Sequence, residues 1–125
     1  MKNAAPAAPV LILVVDDDEA VRDTVCDVVR MLGYTAEPAG DARAALDRFR
    51  PGLYDLVVTD LAMPVMNGLQ LARHLHALEP TLPITIFSAT ALPTEPALAV
   101  SGITVARKPD VDELARLIQC TLGRS

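Results

Sequence analysis

Residues 10–19 read VLILVVDDDE, six aliphatic side chains in succession followed at once by four acidic ones. A β-favouring run without polar alternation is typical of a strand buried on both faces of a parallel sheet. Similar short runs recur along the chain: LVVT at 56–59, ITIF at 84–87 and ITVA at 103–106. A weaker run, TAE at 35–37, brings the number of predicted strands to five.

Between these runs the apolar residues recur with the period of an α-helix. The helical stretches are residues 21–32, 41–50, 68–78 and 110–118. In the third stretch, Leu71, Leu75 and Leu78 are predicted to face the core. In the last, Asp110 and Glu113 form a pair that resembles a capping box.

Strands that alternate with helices indicate a doubly wound α/β domain with about five parallel strands and right-handed crossovers. Pro93 and Pro96 fall where the helix before the last strand belongs, so we expect that helix to be short or irregular. Residues 1–9, rich in Ala and Pro, are expected to form a flexible tail, and residues 10–122 a single folded domain.

The composition argues against several classes of protein. Hydrophobic residues make up 51% of the 125 residues, which disfavours a disordered chain. The net charge is −5, which disfavours binding to nucleic acids and to anionic membrane surfaces. No apolar run approaches the roughly 20 residues that span a bilayer, and the N-terminal stretch lacks the apolar segment of a signal peptide. Cys26 and Cys120 belong to no paired motif and are expected to be reduced and half-buried. We therefore expect a cytoplasmic protein.

Chemically capable side chains follow the predicted strands, at the carboxyl edge where ligands of such sheets bind. They are Asp16 and Asp17 after the first run, Asp60 after the third, Ser88 after the fourth and Lys108 after the fifth. Carboxylates about 4–5 Å apart repel by about 3–4 kcal/mol per pair at an effective dielectric near 20, so such a cluster keeps a proton or binds a cation. Hard oxygen ligands beside a lysine favour Mg²⁺ and a phosphoryl group.

Four segments resemble, in order, the motifs of bacterial two-component response-regulator receiver domains. They are VVDDDE at 14–19, DLAMPVMNG at 60–68, SA at 88–89 and KP at 108–109. Each motif alone has little specificity, but together they are highly specific and cover nearly the whole chain after residue 9. The resemblance implies a flavodoxin-like, CheY-like fold with a five-stranded parallel sheet.

The same resemblance implies a role for each residue of the cluster. Asp60 would be the phosphoacceptor, Ser88 the switch hydroxyl that moves onto the phosphoryl group, and Lys108 the residue that pairs with it. The implied Mg²⁺ ligands are Asp17 directly, Asp16 largely through water, Asp60, and the backbone carbonyl of Ala62.

The function that the resemblance implies is a phosphoacceptor switch of a two-component system or phosphorelay. A histidine kinase or histidine phosphotransfer protein would supply the phosphoryl group, and output would pass through contact with a downstream protein. The domain would not be an enzyme beyond its own phosphorylation and dephosphorylation. One alternative is a receiver domain that belongs to a larger hybrid kinase or regulator.

Two further alternatives come from other classes of protein. A metal-dependent phosphohydrolase could use Asp60 as nucleophile, although such enzymes commonly carry a second acid where this chain has Ala62. A flavodoxin-type binding module is the other alternative, but it would be expected to have hydroxyl- and glycine-rich phosphate-binding loops where this chain has carboxylates.

The chain departs from the family at two positions near the lysine. Val105 stands where receiver domains often have an aromatic residue, and Asp110 stands where Phe is common. These departures leave the phosphorylation chemistry untouched. They predict a switch that works without an aromatic lever and an altered output surface.

Overall fold

A computed structural model describes residues 9–90 and 102–122. Five parallel strands form one sheet in the order β2-β1-β3-β4-β5. The strands are β1 Leu11–Val15, β2 Thr35–Ala39, β3 Leu56–Thr59, β4 Ile84–Ser88 and β5 Ile103–Arg107. The described helices are α1 Glu19–Met31, α2 Ala42–Arg48, α3 Gly68–Leu78 and α4 Val111–Leu122. The predicted doubly wound parallel sheet is confirmed. The helix expected across Pro93 and Pro96, and most of the expected tail, lie outside the described residues.

Each face of the sheet carries its own apolar core, because successive side chains of a strand point to opposite faces. Leu13 and Val15 of β1 pack with α2 and α3, whereas Ile12 and Val14 pack with α1 and α4. All four side chains are at most 1% exposed. Coverage on both faces explains why this strand has no polar alternation.

The two edge strands are the least buried. β2 is longer than the predicted TAE run and includes Pro38, whose register partner on β1 is Val14. Proline has no N–H to donate, so an edge strand is where a parallel sheet tolerates it. On the other edge, Val105 of β5 is 41% exposed.

One predicted detail is wrong, and another is confirmed only in part. Leu78 is 54% exposed, because it is the last residue of α3 and only Leu71 and Leu75 of the predicted stripe are buried. Glu113 donates its backbone N–H to Asp110 at 2.9 Å, but its carboxylate accepts from the N–H of Arg107 at 3.1 Å, so the capping box is not reciprocal.

The helix ends have ordinary caps, and the two cysteines differ in burial. Asp41 caps α2, and Gly33, with a φ of 93°, follows the end of α1. Cys26 is buried and Cys120 exposed, so neither is half-buried. Within the described residues, no helix is long and apolar enough to cross a membrane.

The loop between β3 and α3 contains a strained valine. Val65 has a φ of 72°, a conformation that costs an L-residue roughly 1–2 kcal/mol and is worst for β-branched side chains. Its side chain is fully exposed, so no packing against the described residues offsets that cost.

We expect Val65→Asn to raise the free energy of unfolding by about 1 kcal/mol, because Asn adopts this conformation more readily. Urea unfolding would show a higher midpoint at an unchanged slope. Val105→Asn is the matched control, since Val105 is exposed on a strand, and this change should lower stability. An unchanged midpoint for Val65→Asn would contradict the expectation.

Candidate functional site

Three carboxylates meet at the carboxyl edge of the sheet. β1 and β3 are neighbours, so Asp16 and Asp17 after β1 come next to Asp60 after β3. One ligand oxygen from each of the three lies within 4.8 Å of the others. Asp16 is 3% exposed and Asp60 8%, whereas Asp17 is exposed. The site is therefore open on the side of Asp17 and closed on the side of the other two.

Lys108 bridges the two buried carboxylates. Its Nζ lies 3.1 Å from Asp16 Oδ2 and 3.1 Å from Asp60 Oδ1. The same Nζ lies 5.9 Å from the centroid of the Phe87 ring, and the backbone N–H of Lys108 donates to the carbonyl of Ser88 at 2.9 Å. Contacts with β4 thus direct the ammonium of the β5–α4 loop into the site.

The buried charges perturb one another. Burial raises the pKa of Asp16, and the hydrogen bonds from the Asp18 N–H and from Lys108 lower it only in part, so the pKa stays raised. Burial by itself lowers the pKa of Lys108, but the hydrogen bonds to Asp16 and Asp60 and the attraction of their negative charges together more than offset this, so its pKa is raised. The ammonium remains charged, and one cation faces three carboxylates.

The two oxygens of the Asp60 carboxylate have different surroundings. Oδ1 accepts from the N–H of Leu61 at 2.9 Å and from Lys108. No hydrogen bond from the described part of the chain reaches Oδ2. The backbone of Asp60 is held on both sides: its N–H donates to the carbonyl of Val15 at 2.9 Å, and its carbonyl accepts from Thr59 Oγ1 at 2.9 Å. Asp60 therefore presents one restrained oxygen and one free oxygen.

Ser88 and Ala62 lie at the same edge but do not contact the acidic cluster directly. The Ser88 hydroxyl, which is buried at the end of β4, donates to the carbonyl of Thr90 and accepts from the Thr90 N–H, both at 3.0 Å. Ala62 is exposed, two residues after Asp60 in the β3–α3 loop. Of the residues predicted for the site, Asp16, Asp60 and Lys108 are in direct contact, with Asp17 close by.

Two residues near the site were missed in the sequence. Arg22 of α1 donates from Nη1 to the backbone carbonyl of Asp16 at 2.8 Å. Gly68, the first residue of α3, lies so close to Asp60 that a β-carbon there would overlap the Asp60 carbonyl oxygen. Gly68 belongs to the motif at 60–68, but that motif did not indicate its contact with Asp60, and no spacing rule links Arg22 to the cluster.

The chemistry of the donor set fits a divalent cation. Magnesium binds hard oxygen ligands, keeps several waters and is usually held by one or two carboxylates together with substrate phosphates. Three converging carboxylates with one exposed member match that preference. The residues present therefore suit Mg²⁺.

Comparison with known proteins assigns the chain to a family. The model of the response regulator receiver domain matches residues 12–119. The chain belongs to this family. Among relatives, the response regulator MprA of Mycolicibacterium vanbaalenii is 43% identical over 81 residues, which cover 65% of this chain and 35% of that protein. The gliding motility regulatory protein of Myxococcus xanthus is 37% identical over 94 residues, 73% of this chain and 12% of that protein. The chain thus spans about a third or less of these relatives.

Solved receiver structures share the fold. The response regulator TrrA of Thermotoga maritima, in complex with Mg²⁺ and BeF, has a TM-score of 0.81 at 27% identity, covering 90% of this chain and 99% of that one. The chemotaxis protein CheY4 of Vibrio cholerae has a TM-score of 0.77 at 27% identity, covering 92% and 100%. The predicted family and CheY-like fold are confirmed. This chain is a receiver domain of the response-regulator type, a phosphoacceptor signalling domain.

Proposed function

We propose that this receiver domain accepts a phosphoryl group on Asp60 from a histidine kinase or histidine phosphotransfer protein. The observation that carries the proposal is the asymmetry of the Asp60 carboxylate: Oδ1 is held by Leu61 and Lys108, and Oδ2 accepts no hydrogen bond from the residues that the structure describes. A nucleophile needs one oxygen restrained for orientation and another available for bond formation.

The chain's own groups account for the transfer. Oδ2 forms a bond to phosphorus while the bond between phosphorus and the donor's imidazole nitrogen breaks, and the nitrogen leaves with the electron pair. Lys108, already 3.1 Å from Oδ1, supplies positive charge beside the oxygens that gain negative charge. The product is an acyl phosphate on Asp60.

The proposed cation ligands are the carboxylates of Asp16, Asp17 and Asp60 and the backbone carbonyl of Ala62. Bound Mg²⁺ would neutralise the charge on the phosphoryl oxygens during transfer and during later hydrolysis. The Mg²⁺ complex of TrrA, together with the three converging carboxylates here, supports this assignment.

Signalling would then depend on which groups of the domain bind the phosphoryl group on Asp60. We propose that the Ser88 hydroxyl leaves the backbone of Thr90 and donates to the phosphoryl group, with output through a downstream protein in the cytoplasm. The signalling unit would be residues 10–122, either alone or as one domain of a longer regulator or hybrid kinase. Catalysis would be limited to its own phosphorylation and dephosphorylation.

Intact-mass measurement after incubation with Mg²⁺ and acetyl phosphate tests the proposal. We expect one phosphoryl adduct in the wild type, and none in Asp60→Asn or in excess chelator. Asp23→Asn is the matched control, because Asp23 is an exposed aspartate on α1 and its loss should leave the adduct unchanged. An adduct that survives Asp60→Asn would disprove the assignment. Steady release of phosphate from p-nitrophenyl phosphate would instead favour the phosphohydrolase alternative.

A further inference from the structure

Arg22 reaches back from the first turns of α1 to the acidic loop. Its Nη1 donates to the backbone carbonyl of Asp16 at 2.8 Å, and the bond is partly buried. A β-carbon at Gly40, in the β2–α2 turn, would lie 3.6 Å from the same nitrogen. The guanidinium therefore lies between the acidic loop and that turn, in contact with the one peptide group that joins Asp16 to Asp17.

The two aspartates are restrained to different degrees. The N–H of Asp16 donates to Ala39 at 3.2 Å, Oδ1 accepts from the N–H of Asp18 at 2.9 Å, and Oδ2 accepts from Lys108. By contrast, no hydrogen bond within residues 9–90 and 102–122 involves Asp17. Asp17 also has the exposed carboxylate of the cluster. Its direction depends on the peptide plane that precedes it, and Arg22 holds the carbonyl of that plane.

We propose that Arg22 is a positioning residue for cation binding: it fixes the Asp16–Asp17 peptide so that the Asp17 carboxylate faces Asp16 and Asp60. This inference rests on the proposed function, because it concerns the same cation site. Groups that orient metal ligands through hydrogen bonds typically change metal affinity by 10–100-fold when they are removed. A guanidinium suits the task because its planar fork is rigid and it stays charged at any working pH.

Calorimetric titration of the whole chain with Mg²⁺, in the absence of phosphodonor, tests the proposal. We expect Arg22→Met to weaken Mg²⁺ binding by about 10-fold, with partial recovery in Arg22→Lys, which keeps a donor and the charge. Arg30→Met is the matched control: Arg30 lies on the same helix, and its ion pair is an exposed one with Asp27 at 3.7 Å. It should leave Mg²⁺ affinity unchanged.

Two further measurements separate positioning from stability. Urea unfolding without Mg²⁺ measures the structural cost of each variant. The rate of acetyl phosphate labelling against Mg²⁺ concentration should show a shifted midpoint for Arg22→Met and a maximal rate within about twofold of wild type. Unchanged Mg²⁺ affinity in Arg22→Met would overturn the proposal, whatever its stability. If Arg22→Met does not fold, wild-type affinity in Arg22→Leu, which also lacks a donor, would overturn it.

The outcomes also separate this inference from the proposed function. A wild-type adduct on Asp60 together with Arg22-independent Mg²⁺ binding would overturn the inference alone. Arg22-dependent Mg²⁺ binding without any adduct would overturn the function and support the inference. A wild type that binds no Mg²⁺ would overturn the inference as well.

Discussion

Gly68→Ala should lower the free energy of unfolding by about 3 kcal/mol and also impair phosphorylation. A β-carbon at this position would overlap the carbonyl oxygen of Asp60 and crowd the backbone of Leu61. Neither neighbour is a flexible side chain, so either the strand end or the first turn of α3 has to move. Overpacking of this kind costs typically 1–3 kcal/mol and occasionally more, which exceeds the gain in helix propensity of about 1 kcal/mol.

The same displacement would reach the reactive carboxylate, because Asp60 belongs to the peptide that must shift. Urea unfolding and the rate of acetyl phosphate labelling together measure both effects. Gly40→Ala is the matched control, since its β-carbon would meet only the end of the Arg22 side chain at an ordinary contact distance of 3.6 Å. We expect the control to change stability by less than about 0.5 kcal/mol. Wild-type stability in Gly68→Ala would contradict this expectation, because it would mean that the β3–α3 loop can move without cost.

Lys108→Met should slow phosphorylation by about 100-fold while leaving Mg²⁺ binding intact or tighter. Loss of a preorganised positive group beside developing charge costs about 10²–10³ in rate. Nζ also occupies one oxygen each of Asp16 and Asp60, so its removal frees both oxygens for a cation. The Mg²⁺ affinity should therefore stay the same or rise, while the maximal labelling rate falls.

The stability of Lys108→Met should depend on whether Mg²⁺ is present. Without Lys108, two buried carboxylates lose their counter-charge, and breaking a buried pair from one side costs on the order of 3 kcal/mol. We expect Lys108→Met to unfold at lower urea in chelator and to recover when Mg²⁺ is added, because ligand binding stabilises the folded state. Arg107→Met, on the exposed neighbouring residue, should show neither effect. A Lys108→Met labelling rate near wild type would contradict the role given to the ammonium.

Much of the fold was predictable because its determinants are local. Short β-favouring runs of four to six residues marked four of the strands, and the change to helical period marked the segments between them. The prediction of LVVT at 56–59 matches β3 residue for residue, and that of 68–78 matches α3. Asp16, Asp60, Ser88 and Lys108 were predictable as a group because each lies within two residues after a run that predicts a strand, and parallel strands end at one edge.

Other features depended on which elements become neighbours. Leu78 has the helical phase of Leu75, yet it lies past the end of the covered stripe and is exposed. Glu113 has the spacing of a capping box, but the backbone of Arg107 competes for its carboxylate. The end of the covered stripe therefore decided the exposure of Leu78, and a tertiary neighbour decided the partner of the Glu113 carboxylate.

Local patterning therefore accounts for the class of fold, the order of its elements and the set of residues at the reactive edge. The contacts within the site depended on the assembled tertiary structure. They are the hydrogen bonds from Lys108 to two carboxylates, the different surroundings of the two Asp60 oxygens, the hydrogen bond from Arg22 to the Asp16 carbonyl, and the close approach that requires glycine at 68. Periodicity and capping act over a few residues and are visible in the sequence. Lys108 and Asp16, by contrast, are 92 positions apart and meet only when β5 and β1 are set in one sheet.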